Sequence, residues 1–274
     1  VVTPIVTLMI LIPMLTYFYF ARDIADMDRL MNRNNTGIVL YASDEKTEVY
    51  STGRAEHRKL VPLNKISLPV QNALVAAEDK KFYDHSGFSV LSTLRAVYGY
   101  LLNGGGSFGG STITQQLAKI TVLSSQRSFL RQYQAFSIAV AIENTYTKDQ
   151  ILEMYLNSVY FGENAFGIEQ AAQIYFGTTP AKLNLAQASM LVGLLPAPSL
   201  YSPISGNSEY ANERQQTVLT RMVGMGSITE EEMKQTLAKK LKYQKVSSPI
   251  NDSIAPHFAE MVLSELYEKY GEET

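Results

Sequence analysis

A glutamate followed by aromatic residues, and a glycine- and hydroxyl-rich stretch beyond it, are the parts of this chain whose residue types suit chemistry. The segment 75–88, VAAEDKKFYDHSGF, sets Glu78 and Asp79 at the polar end of an apolar helical run, with Phe82, Tyr83 and His85 close behind. A carboxylate at such a boundary is partly desolvated and suits proton abstraction as a general base. The same residues also describe solvated charges at a helix end with His85 in a turn. The segment 104–119, GGGSFGGSTITQQLAK, joins a glycine-rich loop to a polar run and then to a helical segment. Loop amides and the hydroxyls of Ser111, Thr112 and Thr114 suit the oxyanions of a phosphate or a sugar, and Lys119 adds a positive charge. A nucleotide P-loop is excluded, because no Gly-Lys followed by Ser or Thr occurs. A flexible loop ending in a hydroxyl-rich helix cap is the other reading.

The elements that must position these residues are mostly helical. Beyond about Leu60 the apolar spacing is that of helices, and in 148–156 Ile151, Leu152, Tyr155 and Leu156 share one stripe. The segment 184–195 is apolar on most sides and predicts a buried helix. Residues 37–50, GIVLYASDEKTEVY, carry β-branched and aromatic residues around a charged turn and predict a short hairpin. The polar, proline-containing stretch 242–254 reads as a linker, and 256–270, PHFAEMVLSELYEKY, as an amphipathic helix. The segment 91–102, LSTLRAVYGYLL, is apolar enough either to dip into a lipid leaflet or to lie in the core.

The first 21 residues, VVTPIVTLMILIPMLTYFYFA, carry no charge, and as a helix they reach about 31 Å, the thickness of a bilayer core. Tyr17, Phe18, Tyr19 and Phe20 before Arg22 resemble an interfacial aromatic belt with a charged flank. A signal peptide would want a basic start and a small-residue cleavage site, and a core helix a polar stripe. The expected organisation is a transmembrane helix over 1–21, a juxtamembrane and hairpin segment over 22–60, one large domain over 61–241, and over 242–274 a linker with the start of a following region.

Composition narrows the chemistry further. Among 274 residues, 24 Lys plus Arg against 26 Asp plus Glu give a net charge of −2, which argues against a nucleic-acid partner. With 46% hydrophobic and 18% charged residues the chain is not a disordered one. Cysteine is absent, removing disulfides, thiolate nucleophiles and thiolate metal sites together. His57, His85 and His257 have no metal-ligand spacing, so a zinc enzyme is disfavoured.

Four segments, AAEDKKFYDHSG, GGSTITQQLAK, YTKDQILEMYLN and YFGENAFGIEQAAQIYFG, resemble in order and separation all but one of the motifs of the peptidoglycan glycosyltransferases, glycosyltransferase family 51. These occur as monofunctional transglycosylases and as the first catalytic domain of class A penicillin-binding proteins. The resemblance runs over about residues 36–240 and makes 61–241 the glycosyltransferase domain. It implies a mainly α, lysozyme-like domain with an N-terminal transmembrane helix and a small β-hairpin, outside the cytoplasmic membrane on a single span. The implied reaction joins a polyprenyl-pyrophosphate-linked glycan to the sugar 4-hydroxyl of lipid II and releases undecaprenyl pyrophosphate. Glu78 would be the base that deprotonates the acceptor. The substrate-binding positions carried over are Asp79, Phe82, His85, Ser111, Thr112, Gln115, Gln116, Lys119, Arg127 and Arg131, of which Ser111, Gln115, Lys119, Arg127 and Arg131 would face the pyrophosphate and stabilise its growing charge. Glu153, Asn157 and Tyr160 read as architectural, with a cleft-lining role the second reading. The resemblance further implies membrane lipid and cell-wall synthesis or division proteins as partners, and stimulation by a divalent metal (Mg or Mn), although the spacing shows no metal site.

The family's third motif, Arg-Lys-x-x-Glu, carries its second catalytic carboxylate. Here the matching run is Arg131, Gln132, Tyr133, Gln134 and Ala135: the arginine is kept, the lysine is Gln132 and the glutamate Ala135. Glu143 lies more than two helical turns further on and well off that face, so it is a poor substitute. Two expectations follow: a polymerase working with Glu78 and its remaining cations at reduced rate, or a domain that binds lipid II or glycan as an inactive scaffold. A lysozyme-like hydrolase is disfavoured, because it has no use for pyrophosphate-binding residues.

Overall fold

The computed structural model describes residues 37–53, 60–87, 111–121, 129–244 and 254–270, together with Leu11, Leu15, Phe18 and Tyr19. Those four N-terminal positions are helical and exposed. The rest of the 1–21 transmembrane expectation lies outside the described residues, as do the 91–102 segment, the glycines of 104–110 and Arg127. Among the described residues no helix is long and apolar enough to cross a membrane.

The hairpin forms from β1 (Gly37–Tyr41) and β2 (Glu48–Gly53), antiparallel, with Gly37 opposite Gly53 and Leu40 opposite Tyr50. An irregularity between Leu40 and Tyr41 shifts the register, so Tyr41 meets Glu48. Asp44 makes the turn: its carboxylate accepts from the amides of Lys46 and Thr47 and from the Thr47 hydroxyl. These bonds, the Thr47 hydroxyl first, lower the Asp44 pKa to about 2.

The remaining elements among the described residues are helical. The sequence runs through α1 (Leu68–Glu78), α2 (Ile113–Thr121), α3 (Phe129–Thr145), α4 (Lys148–Ser158), α5 (Ile168–Phe176), α6 (Leu185–Leu194), the short α7 (Pro198–Tyr201), α8 (Ser208–Val223), α9 (Glu230–Leu237) and α10 (Pro256–Tyr270). Single 3-10 turns lie at Leu63–Lys65, Phe82–Asp84 and Pro180–Lys182.

Helix α6 sits at the centre, with Ala186 and every residue from Ala188 to Leu194 buried, as its all-round apolar sequence demands. Helices α1 and α8 pack on it, while α2 packs between α3 and α4. One continuous apolar core joins these layers. The predicted stripe of α4 is buried in full, and Met154, Asn157 and Ser158 are buried as well. Thr147 starts α4 with a capping box: its hydroxyl accepts from the Gln150 amide and the Gln150 side chain accepts from the Thr147 amide. Asn157 and Glu153 of α4 pin the chain ahead of α1. Asn157 Oδ1 accepts from the Val61 amide at 2.9 Å, Asn157 Nδ2 donates to the Val61 carbonyl at 2.9 Å, and Glu153 Oε2 accepts from the Leu63 amide at 2.6 Å. Both side chains therefore carry architecture.

After α9 the chain runs over α5, where the Gln244 amide donates to the Tyr175 carbonyl and the Tyr243 ring lies 5.7 Å from that of Phe176. Helix α10 sets fully buried Ala259 against Tyr50 of β2, a small second apolar cluster.

Candidate active site

Glu78 is the last residue of α1, at the point where the chain leaves the helix and Asp79 takes a non-helical conformation with φ of −156° and ψ of 78°. The end of the helix is held from outside by Arg221 of α8, whose guanidinium donates to the Ala77 carbonyl, one of the orphan acceptors of a helix C-terminus. The side chain of Glu78 is half-buried. Gln116 Nε2, from α2, donates to Glu78 Oε2 at 2.8 Å, and Gln116 Oε1 accepts from the Tyr155 hydroxyl of α4 at 2.8 Å. Glu78 Oε1 has no hydrogen-bond partner among the described residues. Burial first, and the nearby Glu78 carboxylate second, raise the Tyr155 pKa well above the usual phenol range.

Asp79 turns the other way. Its carboxylate oxygens lie 2.9 and 3.1 Å from His85 Nε2, and Oδ2 accepts from the Ile113 amide at the start of α2 at 3.2 Å. The Gly87 amide donates to His85 Nδ1 at 3.2 Å, so Nε2 is the ring nitrogen that carries the proton toward Asp79. An acidic group at a helix N-terminus is favoured by the dipole and by the unpaired amides there. Asp79 therefore ties the Glu78 turn to the helix that brings Gln116.

Thr112 and Gln115 close the same helix start. Thr112 Oγ1 accepts from the Gln115 amide at 3.2 Å, Gln115 Oε1 accepts from the Thr112 amide at 3.3 Å, and the Thr112 hydroxyl donates to the Gly87 carbonyl at 2.8 Å. Both side chains are buried in this local work. One turn on, Lys119 Nζ donates to Ser111 Oγ at 3.1 Å, which brings the predicted cation and hydroxyl to one place. Phe82 is wholly enclosed, with Lys148 Nζ 4.5 Å from its ring centroid and Tyr83 and His85 edge-on to it. Its ring packs beneath the turn and leaves no face for a ligand.

A polar group whose assembly the sequence did not reveal joins α2, α3 and α4. Glu143 Oε1 accepts from the Thr114 hydroxyl at 2.5 Å and from Lys148 Nζ at 2.8 Å, with only 6% of the Glu143 side chain exposed. Gly87 crosses this group with φ of +86°, and a Cβ there would stand 3.0 Å from both Glu143 Cγ and the Ala139 carbonyl oxygen. Glu143 is thus a structural tie.

Of the third-motif residues, Arg131 and Gln132 lie on α3, and their side chains fall outside the described residues, as Arg127 does entirely. Ala135 is fully buried in the core. Among the described residues no group of three or more His, Asp or Glu side chains is placed to hold a metal ion, and Asp79 is already engaged by His85 and a backbone amide. The described residues do not by themselves fit a divalent metal.

A carboxylate at a helix end, steered by an amide from a hydroxyl-rich helix that also carries a lysine, can take a proton from one group while a cation steadies an anionic one nearby. A profile of the transglycosylase family matches residues 45–223, and the chain belongs to that family, the peptidoglycan glycosyltransferases of family 51. Penicillin-binding protein 1A of Neisseria flavescens is 44% identical over 237 residues, which take in 86% of this chain and 29% of that protein. Penicillin-binding protein 1A of Escherichia coli K12 is 36% identical over 257 residues, 93% of this chain and 30% of that protein. A crystal structure of penicillin-binding protein 1A from Haemophilus influenzae aligns with a TM-score of 0.47 and 22% identity over 87% of this chain and 25% of its own. The chain spans under a third of the length of the curated relatives it matches.

Proposed function

We propose that the chain polymerises lipid II into glycan strands, with Glu78 as the general base. The acceptor 4-hydroxyl gives its proton to Glu78 as its oxygen attacks the anomeric carbon of the donor sugar. The bond from that carbon to the pyrophosphate breaks, and undecaprenyl pyrophosphate leaves with the electron pair. Lys119 and Ser111, paired at 3.1 Å, and Arg127 and Arg131 by resemblance, stabilise the leaving group. The observation that carries this reading is Glu78 itself: one carboxylate oxygen is held by Gln116, and the other is open among the described residues. Exposed apolar Leu11, Leu15, Phe18 and Tyr19 support a membrane-anchored, extracytoplasmic setting on a single span, where the polyprenyl substrate and membrane lipid meet the domain. Domain limits follow the sequence reading, with glycosyltransferase residues 61–241 and a following region from 242, and cell-wall synthesis or division proteins are the expected partners.

The enclosure of Ala135 favours a second reading, an inactive domain that binds lipid II or glycan as a scaffold, because the second carboxylate of the family has no counterpart at that position. Polymerisation of labelled lipid II in detergent by the unaltered chain and by Gln132→Lys with Ala135→Glu separates the two. Product from the unaltered chain supports the polymerase. Lipid II binding without product, with polymerisation appearing only in the double variant, supports the scaffold. No product and no lipid II binding in either contradicts both.

A further inference from the structure

Tyr155 is 1% exposed, in a helix face otherwise made of Ile151, Leu152 and Leu156, all at 0%. A phenylalanine would fill that space without burying a hydroxyl, and an unpaired buried hydroxyl is unfavourable by about 1–3 kcal/mol. The hydroxyl is paired: it donates to Gln116 Oε1 at 2.8 Å, and Gln116 in turn donates from Nε2 to Glu78 Oε2 at 2.8 Å. The two bonds run in one direction. A primary amide has one accepting end and one donating end, and rotating it by half a turn exchanges them. If Gln116 were turned, its oxygen would face the Glu78 carboxylate, and its NH2 group would face a hydroxyl with no other acceptor among the described residues. Tyr155, protonated at any ordinary pH because of its burial, therefore joins the Glu78 carboxylate in fixing the rotamer that presents N–H to Glu78, by holding the oxygen end of the same amide.

We infer that Tyr155 is a positioning residue for the proposed glycosyl transfer, acting through Gln116 to hold the Glu78 carboxylate in its acceptor orientation. The inference rests on Glu78 being the base. The hydroxyl reaches no substrate, so its loss changes the chemical step and leaves substrate affinity alone. With its oxygen end released, Gln116 is held, among the described residues, by the Glu78 carboxylate alone, and Glu78 loses the firmness of its donor on Oε2 and with it the aim of the open Oε1.

The test is a mutant cycle on lipid II polymerisation, with Tyr155→Phe, Gln116→Met and the double variant, each checked for unchanged melting. Tyr155→Phe is expected to lower kcat about ten-fold with KM unaltered, and to cause no further loss once Gln116 is Met, since coupled residues are non-additive. Equal kcat in Tyr155→Phe and the unaltered chain would overturn the inference, and so would losses that simply multiply in the double variant or appear in KM. A Tyr155→Phe variant that melts lower but keeps kcat would show a packing role and overturn it also. Absence of product from the unaltered chain would overturn the base assignment to Glu78 and the inference with it, and is separable from the other outcomes because the unaltered chain is its own control.

Discussion

Lys148 serves two neighbours at once, standing 2.8 Å from the almost enclosed Glu143 carboxylate and over the ring of buried Phe82. Removing its charge leaves Glu143 with the Thr114 hydroxyl alone. Lys148→Met is therefore expected to lower unfolding free energy by about 3 kcal/mol in urea titrations, the range for breaking a buried pair from one side. A change within a few tenths of a kcal/mol would mean that water reaches Glu143 and the tie is weak. Glu78 and Gln116 were legible as candidates because their residue types and motif spacing announce them. Tyr155 was legible only as one member of an apolar stripe: its polar atom matters through Gln116, 39 positions away in sequence, and no local pattern reports that bond. Arg221 was equally hidden, since its partner is a backbone carbonyl, which every residue has.

Helix α4 was predicted from its stripe and appears with the start that its Thr-Lys-Asp-Gln sequence implies, because capping is local chemistry. The hairpin was legible for the same reason, its turn being made by Asp44 and Thr47 within the segment itself, and β2 runs on to Gly53, beyond the predicted Tyr50. What the sequence did not disclose was how the turn after α1 docks. That docking needs Gly87, whose positive φ and whose 3.0 Å clearance from the Ala139 carbonyl oxygen exclude a side chain. Gly87→Ala is expected to destabilise by about 2 kcal/mol, from backbone strain and the displaced α3 contact, seen as a lowered midpoint in thermal unfolding. Because the Thr112 hydroxyl donates to the Gly87 carbonyl, the same change is expected to loosen the start of α2. Faster amide exchange at Ile113 and Thr114 would register it, and unaltered exchange with an unaltered midpoint would count against the docking.

Buried Tyr155 and Tyr175, with half-buried Tyr243, set the response of the molecule to alkali. Burial raises the pKa of Tyr155 and Tyr175 and pushes that of Tyr243 up to about 12. In the unfolded chain each would titrate at about 10. Between those values the unfolded chain has released protons that the folded one keeps, so stability is full below pH about 10 and falls as pH rises toward 12. Urea midpoints measured between neutral pH and the alkaline limit should be flat and then decline, with tyrosinate absorbance appearing together with unfolding. Tyrosinate forming in a folded protein near the ordinary phenol pKa would contradict it. The helical core was legible as a class from apolar spacing, and the all-round apolar α6 was legible as a buried helix, though not as the centre of the core. The grouping of α1, α2 and α4 around Glu78 was not, because it depends on long-range packing that spacing alone does not encode.

The base assignment can be read directly from Glu78→Gln in the lipid II polymerisation assay, beside a measurement of lipid II binding. The geometry predicts that binding persists while product falls by about three powers of ten or more, since the amide accepts no proton yet keeps the shape of the carboxylate. Polymerisation at the unaltered rate in Glu78→Gln would contradict it.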